Sequence, residues 1–510
     1  MPALHRPNPR RARRAATLPT ITMLVAVVAL AACSNRDDSE STTVTTATPS
    51  TDPPDTAAPD TGAPATDPPG TGTPDTGTPD TTDPGGEPGV FFGTLPSPCG
   101  PGDPALPASV AAEENGGDVI RVAAASDKGA VAAPGLNAEL YDAAVAFAGW
   151  CNAQGGIRGL PLEVIDADAK LFEVPAAMER VCAQAFAMVG GGWAFDDQQF
   201  PRFHECGMID IAGFTVTTGK AMSDRMVQPM PNPSDAKNGN WFRWAAREHP
   251  SAVASFATLT GDIATTRLVE EQYVEMMGTI PEYQVVDRIV YNSAGEATWA
   301  PIVQRLKDKG VRAITFVGAP EMFALLLKAM DELGFRPELI LQEASFYVDS
   351  LIAQAAEGAE GVIATTAYAP FEEADRFPGL ASYLEMMAEH RPGGKVAGLG
   401  LQATSAYLLF AQSAAKCIDA NGGVLTRSCL LEEAAAVSEW TGGGLHAPTV
   451  PGSNRPAQCS LLMEVVGGRW QRHWPALDSA DDNGGGWHCD PANVIELTGD
   501  YGDVTIGRLP

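Results

Sequence analysis

The sequence predicts an α/β protein built from two consecutive doubly wound sheets. Three observations support this fold class. Strand-like apolar runs alternate with helical apolar stripes between residues 118 and 366, the series restarts at residue 252, and glycines follow several of the helical stripes. Alternating strands and helices form parallel sheets through right-handed crossovers. Each series therefore predicts its own sheet.

The first series predicts four strands joined by helices. The helix after the first strand ends at Gly155-Gly156, in the usual C-terminal manner. The next helix begins near Pro175, because proline suits a first helical turn. The apolar faces of these two helices contain Leu140, Ala144, Phe147 and Cys151, and then Met178, Val181, Cys182 and Ala185. The predicted strands are 119–124, 162–165, 187–189 and 208–211.

The second series repeats this pattern and predicts a second sheet. Helical stripes end at Gly310 and Gly334, where glycine permits the C-terminal turn. Ligands of such sheets lie at the carboxyl ends of the strands, and a cleft between two lobes suits a small molecule. The predicted helices are 268–277, 299–306 and 322–333. The predicted strands are 252–257, 283–291, 313–317, 339–341 and 362–364.

Residues 1–33 are predicted to be a secretion signal. Arginines lie between Arg6 and Arg14, an uncharged run follows, and the run ends in Leu-Ala-Ala before Cys33. A basic start, an apolar core and small residues at a cut site are typical of such a signal. A cysteine directly after Leu-Ala-Ala resembles a bacterial lipoprotein signal, which implies lipid transfer to Cys33 and cleavage before it. An ordinary signal peptide or a signal anchor is the alternative.

Residues 34–115 are predicted to be a disordered linker. As far as about Gly89 the chain consists of Thr, Pro, Asp, Gly, Ser and Ala, with almost no large apolar residue. Such a segment cannot bury enough apolar surface to offset its ordering entropy, and its prolines make it a semi-extended spacer. A lipid at one end and a folded body at the other predict an extracytoplasmic receptor anchored to the outer face of the bacterial cell membrane.

The net charge and the cysteines indicate which partners and which kinds of site the protein has. A formal net charge of -29 argues against nucleic acid or an anionic membrane surface as a partner. Eight of the nine cysteines remain besides Cys33, and export permits disulfides. No spacing is typical of a metal site, so no metal or cofactor is expected. Many connectivities are open, and the preferred pairing is Cys417–Cys429, Cys459–Cys489, Cys182–Cys206 and, by remainder, Cys99–Cys151.

Residues 151–163, Cys-Asn-Ala-Gln-Gly-Gly-Ile-Arg-Gly-Leu-Pro-Leu-Glu, resemble the Asn-x-x-Gly-Gly-Ile-x-Gly segment of type I periplasmic binding proteins. These are the solute receptors of branched-chain amino acid ABC importers. The resemblance covers roughly residues 118–480. It implies two lobes joined by three crossing strands, which close on a solute like a hinged trap. Lobe 1 is expected at 118–236 plus 367–455, and lobe 2 at 237–366 plus 456–510. Further matching segments follow in order at 298–316, 318–321, 329–335, 378–383 and 406–407.

The resemblance also implies a solute site between the lobes. Strand-end loops of lobe 1 would bind a solute carboxylate, and Glu343 of lobe 2 would bind an ammonium group. Trp193 and Phe195 stand near the position of the family's serine, which suggests a larger or aromatic-contacted solute. The alternatives are glycines that only permit turns, a Trp193 that packs inside its lobe, and a solvated Glu343. The expected ligand contacts are Gly191, Gly192, Trp193, Ala212, Phe214, Thr215, Ala319, Glu343 and Tyr368.

No enzyme signature competes with this interpretation, because a Gly-x-Ser-x-Gly elbow, a Walker loop and a His-Glu-x-x-His motif are all missing from the sequence. The sequence therefore predicts a monomeric, non-enzymatic protein. It would capture a small polar solute, such as an amino acid or an amide, and deliver it to an ABC permease. The alternative is a sensor of the same fold that reports to a signalling partner. A secreted enzyme on the same scaffold is disfavoured by the missing motifs.

Overall fold

The computed structural model describes residues 89–131 and 133–509. The predicted signal with Cys33 and the predicted linker up to residue 88 lie outside these ranges. Within them, no helix is both long and apolar enough to cross a membrane. The strands are β1 Phe91–Phe92, β2 Leu95–Pro96, β3 Ser109–Val110, β4 Ile120–Ser126, β5 Leu162–Asp168, β6 Ala187–Val189, β7 Asp210–Ile211, β8 Met226–Val227, β9 Ala236–Asn238, β10 Phe256–Gly261, β11 Val285–Tyr291, β12 Ala313–Val317, β13 Leu339–Gln342, β14 Val362–Thr366, β15 Val424–Leu425, β16 Cys459–Val466, β17 Arg469–Trp474, β18 His488–Cys489 and β19 Val494–Glu496.

The α-helices connect these strands. They are α1 Ala138–Ala153, α2 Val174–Gln184, α3 Phe200–Glu205, α4 Thr218–Ala221, α5 Asn240–Glu248, α6 Pro250–Val253, α7 Ala264–Gly278, α8 Ala300–Asp308, α9 Pro320–Glu332, α10 Asp349–Ala355, α11 Pro378–His390, α12 Gly398–Ala420 and α13 Arg427–Ala435.

The first sheet is parallel and has the order β5-β4-β6-β7-β8. Its core forms because apolar side chains of β4 meet the apolar face of α1. Ile120, Val122, Leu140 and Phe147 are completely buried in one cluster. The predicted α/β fold class is confirmed, and the predicted helix end at Gly155 has the expected positive φ of 104°.

The second sheet has the order β11-β10-β12-β13-β14-β16-β17, and β18 also pairs with β16. Its first five strands are parallel, as predicted. The sheet then continues with the antiparallel pairs β14–β16 and β16–β17. The extension comes from the C-terminal part of the chain, which returns after α13 to cover the β14 edge.

One predicted strand is displaced. The sequence predicts a strand at 252–257, whereas the chain forms α6 up to Val253 and begins β10 at Phe256. Pro250 starts the short helix, since its fixed φ suits a first turn. Residues 256–261 are all buried; they pair with β11, and residues 256–260 pair with β12 as well. The apolar run therefore belongs partly to a helix and partly to the strand.

Residues 89–115 are folded, although the sequence analysis includes them in the linker. Phe92 is completely buried, and β3 pairs in parallel with β15. Cys99 is bonded to Cys151 at the end of α1. The segment differs from the Thr/Pro-rich stretch before it because it contains apolar residues and a cysteine that attach it to the folded body. We call residues 89–115 the N-terminal strap.

The four disulfides have the predicted pairing. Besides Cys99–Cys151, the bonds are Cys182–Cys206, Cys417–Cys429 and Cys459–Cys489. Their sequence separations are 52, 24, 12 and 30 residues. Each bond joins elements that already pack together, so the framework reinforces the fold at four places.

The chain passes between the two sheets three times. It leaves the first sheet after β8, returns after β14 to form α11, α12 and α13, and crosses again before β16. Helices α11 and α12 pack on α1 of the first sheet. The second and third crossings are bonded to each other, since the amide of Ala369 donates to Leu445 and that of Ala447 donates to Ala367, both at 2.8 Å. This connectivity supports the three-crossing hinge, while the lobe boundaries themselves stay a prediction.

Candidate functional site

The carboxyl edge of the first sheet carries the two loops that the sequence analysis assigns to the solute. Gly191 and Gly192 follow β6, and residues 212–215 follow β7. The carbonyl oxygen of Gly191 accepts hydrogen bonds from the amides of Gly213 and Phe214, each 3.2 Å long. A Cβ atom on Gly191 would lie 2.2 Å from the main-chain nitrogen of Ala125. The close packing of the two loops against β4 therefore requires glycine.

Backbone amides of these loops are engaged within the protein. The amide of Gly192 donates to the carbonyl of Ala125 at 3.0 Å, and that of Ala194 donates to the carboxylate of Asp127 at 2.8 Å. The two amides that bond to Gly191 are occupied as well. These four donors are not free to hold a solute anion in this conformation. The glycines here serve the turn and its packing, which is the alternative interpretation of the motif.

The side chains of the same loops lie mostly in the interior. Trp193 is completely buried, and its indole Nε1 donates to a main-chain carbonyl of β5 at 2.9 Å. Thr215 is buried and donates from Oγ1 to the side chain of Gln228 at 3.2 Å. Ala212 is also buried, and Phe214 is half-buried. The expected solute contact of Trp193 is thus replaced by packing inside the first sheet's own core.

Glu343 lies at the carboxyl end of β13, where the sequence analysis places it. Its carboxylate is half-buried and accepts two hydrogen bonds of 2.7 Å, one from the hydroxyl of Tyr273 and one from that of Ser345. Tyr273 belongs to α7 and is itself buried. Charge-assisted hydrogen bonds of this kind hold a carboxylate in one orientation. The group is therefore positioned rather than loosely solvated.

Lys237 is a positive charge that acts on this carboxylate, while its ammonium donates a hydrogen bond to Oδ1 of Asn232. It lies in β9, directly after the first crossing between the sheets. Burial lowers the pKa of the Lys237 ammonium to about 8, and the negative charges of Glu343 and Asp235 oppose that shift. Neither Lys237 nor Tyr273 could be found from the sequence, because Tyr273 bonds to Glu343 through long-range packing and Lys237 acts on it only through its charge. No local spacing pattern connects the three residues.

Tyr368 and Ala319 occupy different surroundings. Tyr368 is buried, and its hydroxyl donates to the carbonyl of Ala344 at 3.1 Å. The ring lies against the start of α12, where a Cβ on Gly398 would come within 2.3 Å of the tyrosine hydroxyl. Tyr368 therefore joins the residue after Glu343 to a helix that packs on the first sheet. Ala319 is exposed at the start of α9, at the neighbouring strand end.

Asp127 and Lys128 directly follow β4, at the same edge of the first sheet. Asp127 is completely buried, and burial raises the pKa of its carboxyl group, although hydrogen bonds from main-chain amides oppose the shift. Lys128 pairs with the carboxylates of Asp166 and Asp168, with its Nζ 2.5 Å and 3.9 Å from the respective oxygens. Asp127 is therefore a connector between loops, and Lys128 is engaged at the edge of the sheet.

Two sheets of the doubly wound type, linked by three crossings and carrying polar groups at their carboxyl edges, form a two-lobed α/β architecture. Solved structures share this fold. A leucine-binding protein from Thermotoga maritima has a TM-score of 0.57 at 16% identity, over 70% of this chain and 98% of that one. A fatty acid ABC transporter substrate-binding protein from Thermomonospora curvata has a TM-score of 0.57 at 16% identity, over 74% of this chain and 96% of that one. A solute-binding protein from R. palustris in complex with 4-hydroxybenzoate has a TM-score of 0.55 at 17% identity, over 70% of this chain and 95% of that one.

A family profile gives the more specific assignment. The profile described as periplasmic binding protein matches residues 119–469, which is most of the chain. The chain therefore belongs to the periplasmic binding protein family, a family of binding proteins rather than enzymes, as the sequence resemblance predicts. A search of curated proteins found no match.

Proposed function

We propose that this protein is a lipid-anchored extracytoplasmic receptor that captures a small polar solute between its two sheets and delivers it to an ABC importer. Membership of the periplasmic binding protein family is the observation that carries the proposal. Structures with the same fold include ABC transporter proteins with different bound ligands, among them isoleucine, valine and 4-hydroxybenzoate. That variety supports the transport role and leaves the solute to be defined by this chain's own residues.

The proposed site lies between the two carboxyl edges, with Glu343 as its charged residue. Its position at the end of β13 and its fixed orientation between Tyr273 and Ser345 support this role. A buried or half-buried carboxylate needs positive or donating partners. Hydroxyl groups supply two of them here, and a cationic group of the solute would supply a third.

A single experiment tests both the receptor role and the site. The solute that co-purifies with the protein is identified by mass spectrometry and titrated calorimetrically into wild type and Glu343→Gln. Loss of a charge-assisted hydrogen bond costs about 1.5–3 kcal/mol, which is a loss of affinity of roughly tenfold to a hundredfold. The substitution preserves the volume of the side chain, so the fold should persist.

Ser345→Ala is the matched control for this substitution. It removes one hydroxyl donor from Glu343 but leaves the negative charge in place, so its affinity should fall much less than that of Glu343→Gln. Equal affinities of wild type and Glu343→Gln would show that the carboxylate does not contact the solute. Absence of any bound or bindable solute would contradict the receptor role itself.

A further inference from the structure

Phe172 is an unusual residue for a loop of this sheet, since 69% of its surface is exposed. Its ring stacks on that of Phe195, with centroids 5.7 Å apart and planes inclined by 23°. Phe195 is half-buried and so supports the exposed ring from behind. Single exposed apolar residues are common and need no explanation, but here two aromatic rings from separate loops form one surface. We call these two residues the phenylalanine pair.

The chain adopts unfavourable backbone conformations to present Phe172. The two residues before it, Lys170 and Leu171, have φ angles of 47° and 77°. Residues other than glycine rarely occupy this left-handed region, and such strain persists only where the surrounding structure enforces it. Here the amide of Leu171 donates to Oδ1 of Asp127 at 2.9 Å. The strained turn is thus fixed by a buried carboxylate.

The same carboxylate also fixes the loop of Phe195. Oδ2 of Asp127 accepts a hydrogen bond from the amide of Ala194 at 2.8 Å. Asn137 holds Asp127 in turn, because its Oδ1 accepts the Asp127 amide at 2.6 Å. One completely buried aspartate therefore brings the loops after β5 and β6 into register. Hydrogen bonds to this aspartate therefore fix both loops in the arrangement that stacks the two rings.

The phenylalanine pair lies at the edge of the sheet where a solute is expected. Strands β5, β4 and β6 are adjacent, and the loops that carry Phe172, Asp127 and Phe195 all follow their carboxyl ends. Ligands of open α/β sheets bind outside this edge. The loop of Phe195 is continuous with Gly191 and Gly192, which the sequence resemblance assigns to the solute. An apolar surface at this edge would therefore adjoin a solute held between the two sheets.

We infer that the phenylalanine pair contacts the solute, and that the solute therefore carries an aromatic ring or an extended apolar group besides its polar end. The surface of two rings suits an apolar group of a small molecule, whereas a stable protein interface needs roughly 800 Å² from each partner. The inference rests on the proposed function, because it assigns the chemical class of solute to the same cleft.

Matched pairs of probes test this inference by isothermal titration. L-phenylalanine is compared with L-alanine, and 3-phenylpropionate with propionate. Within each pair the two compounds differ in the phenyl ring. The first pair carries an ammonium group that the second pair lacks. In at least one pair the phenyl compound should bind at least about tenfold more tightly. Phe172→Ala should weaken that compound about fivefold to tenfold, since aromatic contacts contribute energies of this order, and should leave its short partner unchanged.

Phe91→Ala is the matched control, because Phe91 is 56% exposed and lies in β1 of the N-terminal strap. Its affinities should equal those of wild type. Unchanged binding of the phenyl compounds by Phe172→Ala would overturn the inference, as would failure of both to bind. If Phe172→Ala weakened the phenyl compounds and their short partners equally, the phenylalanine pair would act in lobe closure or partner contact. That result would also overturn the inference. A co-purified solute without an apolar group would reject the inference but support the proposed function.

Discussion

At the scale of single residues, His446 shows how a buried titratable group stabilises the junction between the second and third crossings. It is completely enclosed, its Nδ1 donates to the carbonyl of Ala447 at 2.7 Å, and its Nε2 accepts from the hydroxyl of Ser405 at 2.8 Å. Trp440 donates to the same hydroxyl oxygen at 2.8 Å. Burial lowers the pKa of His446 to about 4, from an ordinary value of 6.5. The network therefore holds the neutral imidazole.

This pKa shift predicts a pH dependence of stability. Between pH 6.5 and pH 4 the unfolded chain binds a proton at His446 and the folded protein does not, so the contribution is present above pH 6.5 and is lost as the pH falls through this window. It amounts to about 3 kcal/mol. The difference in free energy of unfolding between wild type and His446→Gln, measured in urea, should therefore shrink by about this amount from pH 7 to pH 4.

Ser405→Ala provides the control for this pH series. It weakens the network but leaves the buried histidine, so it should lower stability at pH 7 while keeping most of the pH dependence. A constant difference between wild type and His446→Gln across the pH range would contradict the prediction. The histidine would then have to bind protons equally in the folded and unfolded states.

The position of Glu343 could be predicted, whereas its partners could not. Glu343 follows an apolar run that predicts a strand, and folds of this kind bind their ligands at the carboxyl ends of strands. The hydroxyl of Tyr273 and the charge of Lys237, which both act on Glu343, come from a helix and a strand far away in sequence. Trp193 illustrates the opposite outcome. A tryptophan in a glycine loop suggests a contact surface, but its indole fills the core and bonds there to β5.

At the scale of elements, the long periodic segments were predicted well and short apolar runs were not. The helices α7, α8 and α9 lie where the apolar stripes place them. The run 252–257 was misplaced, since a few consecutive apolar residues do not distinguish a strand from a short buried helix. The antiparallel addition of β16 and β17 was also not predicted as part of the sheet, because strand pairing over long separations leaves no local signal.

The N-terminal strap offers a prediction at this scale. Replacing Cys99 and Cys151 by serine should release residues 89–115 from α1 while the two sheets persist. The closed loop spans 52 residues, and loss of such a disulfide costs about 2–5 kcal/mol. Limited proteolysis should then cut within the strap before any other described segment, and calorimetry should show a lower melting temperature.

Replacement of Cys182 and Cys206 by serine is the control for the strap. That bond joins α2 to the residue after α3, inside the first sheet's helical layer. Its loss should destabilise the protein without exposing the strap to the protease. A strap that stays resistant after loss of Cys99–Cys151 would show that the β3–β15 pairing and the burial of Phe92 suffice to hold it.

At the scale of the whole molecule, the order of weak motifs was more informative than any one of them. The expected resemblance over roughly residues 118–480 agrees with the family match over 119–469. Glycines with a positive φ, such as Gly155 and Gly156, recur at many places in the described chain, so each motif alone is common. Their sequence order reflects the crossovers of a particular topology. The strap was missed because its few apolar residues adjoin a long segment without them.

The predicted anchor determines where the whole receptor operates. If Cys33 receives a lipid, wild-type protein expressed with its full sequence should enter the detergent phase on phase separation, and Cys33→Ser should remain in the aqueous phase. The reason is that the acyl chains of the lipid would supply the apolar group that partitions into detergent. Ser34→Ala, which keeps the cysteine, should partition like wild type.

Solute affinity should be equal in all three proteins, because the lipid is attached before the linker and takes no part in the cleft. Detergent partitioning of Cys33→Ser equal to that of wild type would contradict the lipid anchor and favour an uncleaved signal anchor, while leaving the receptor role and its site unaffected.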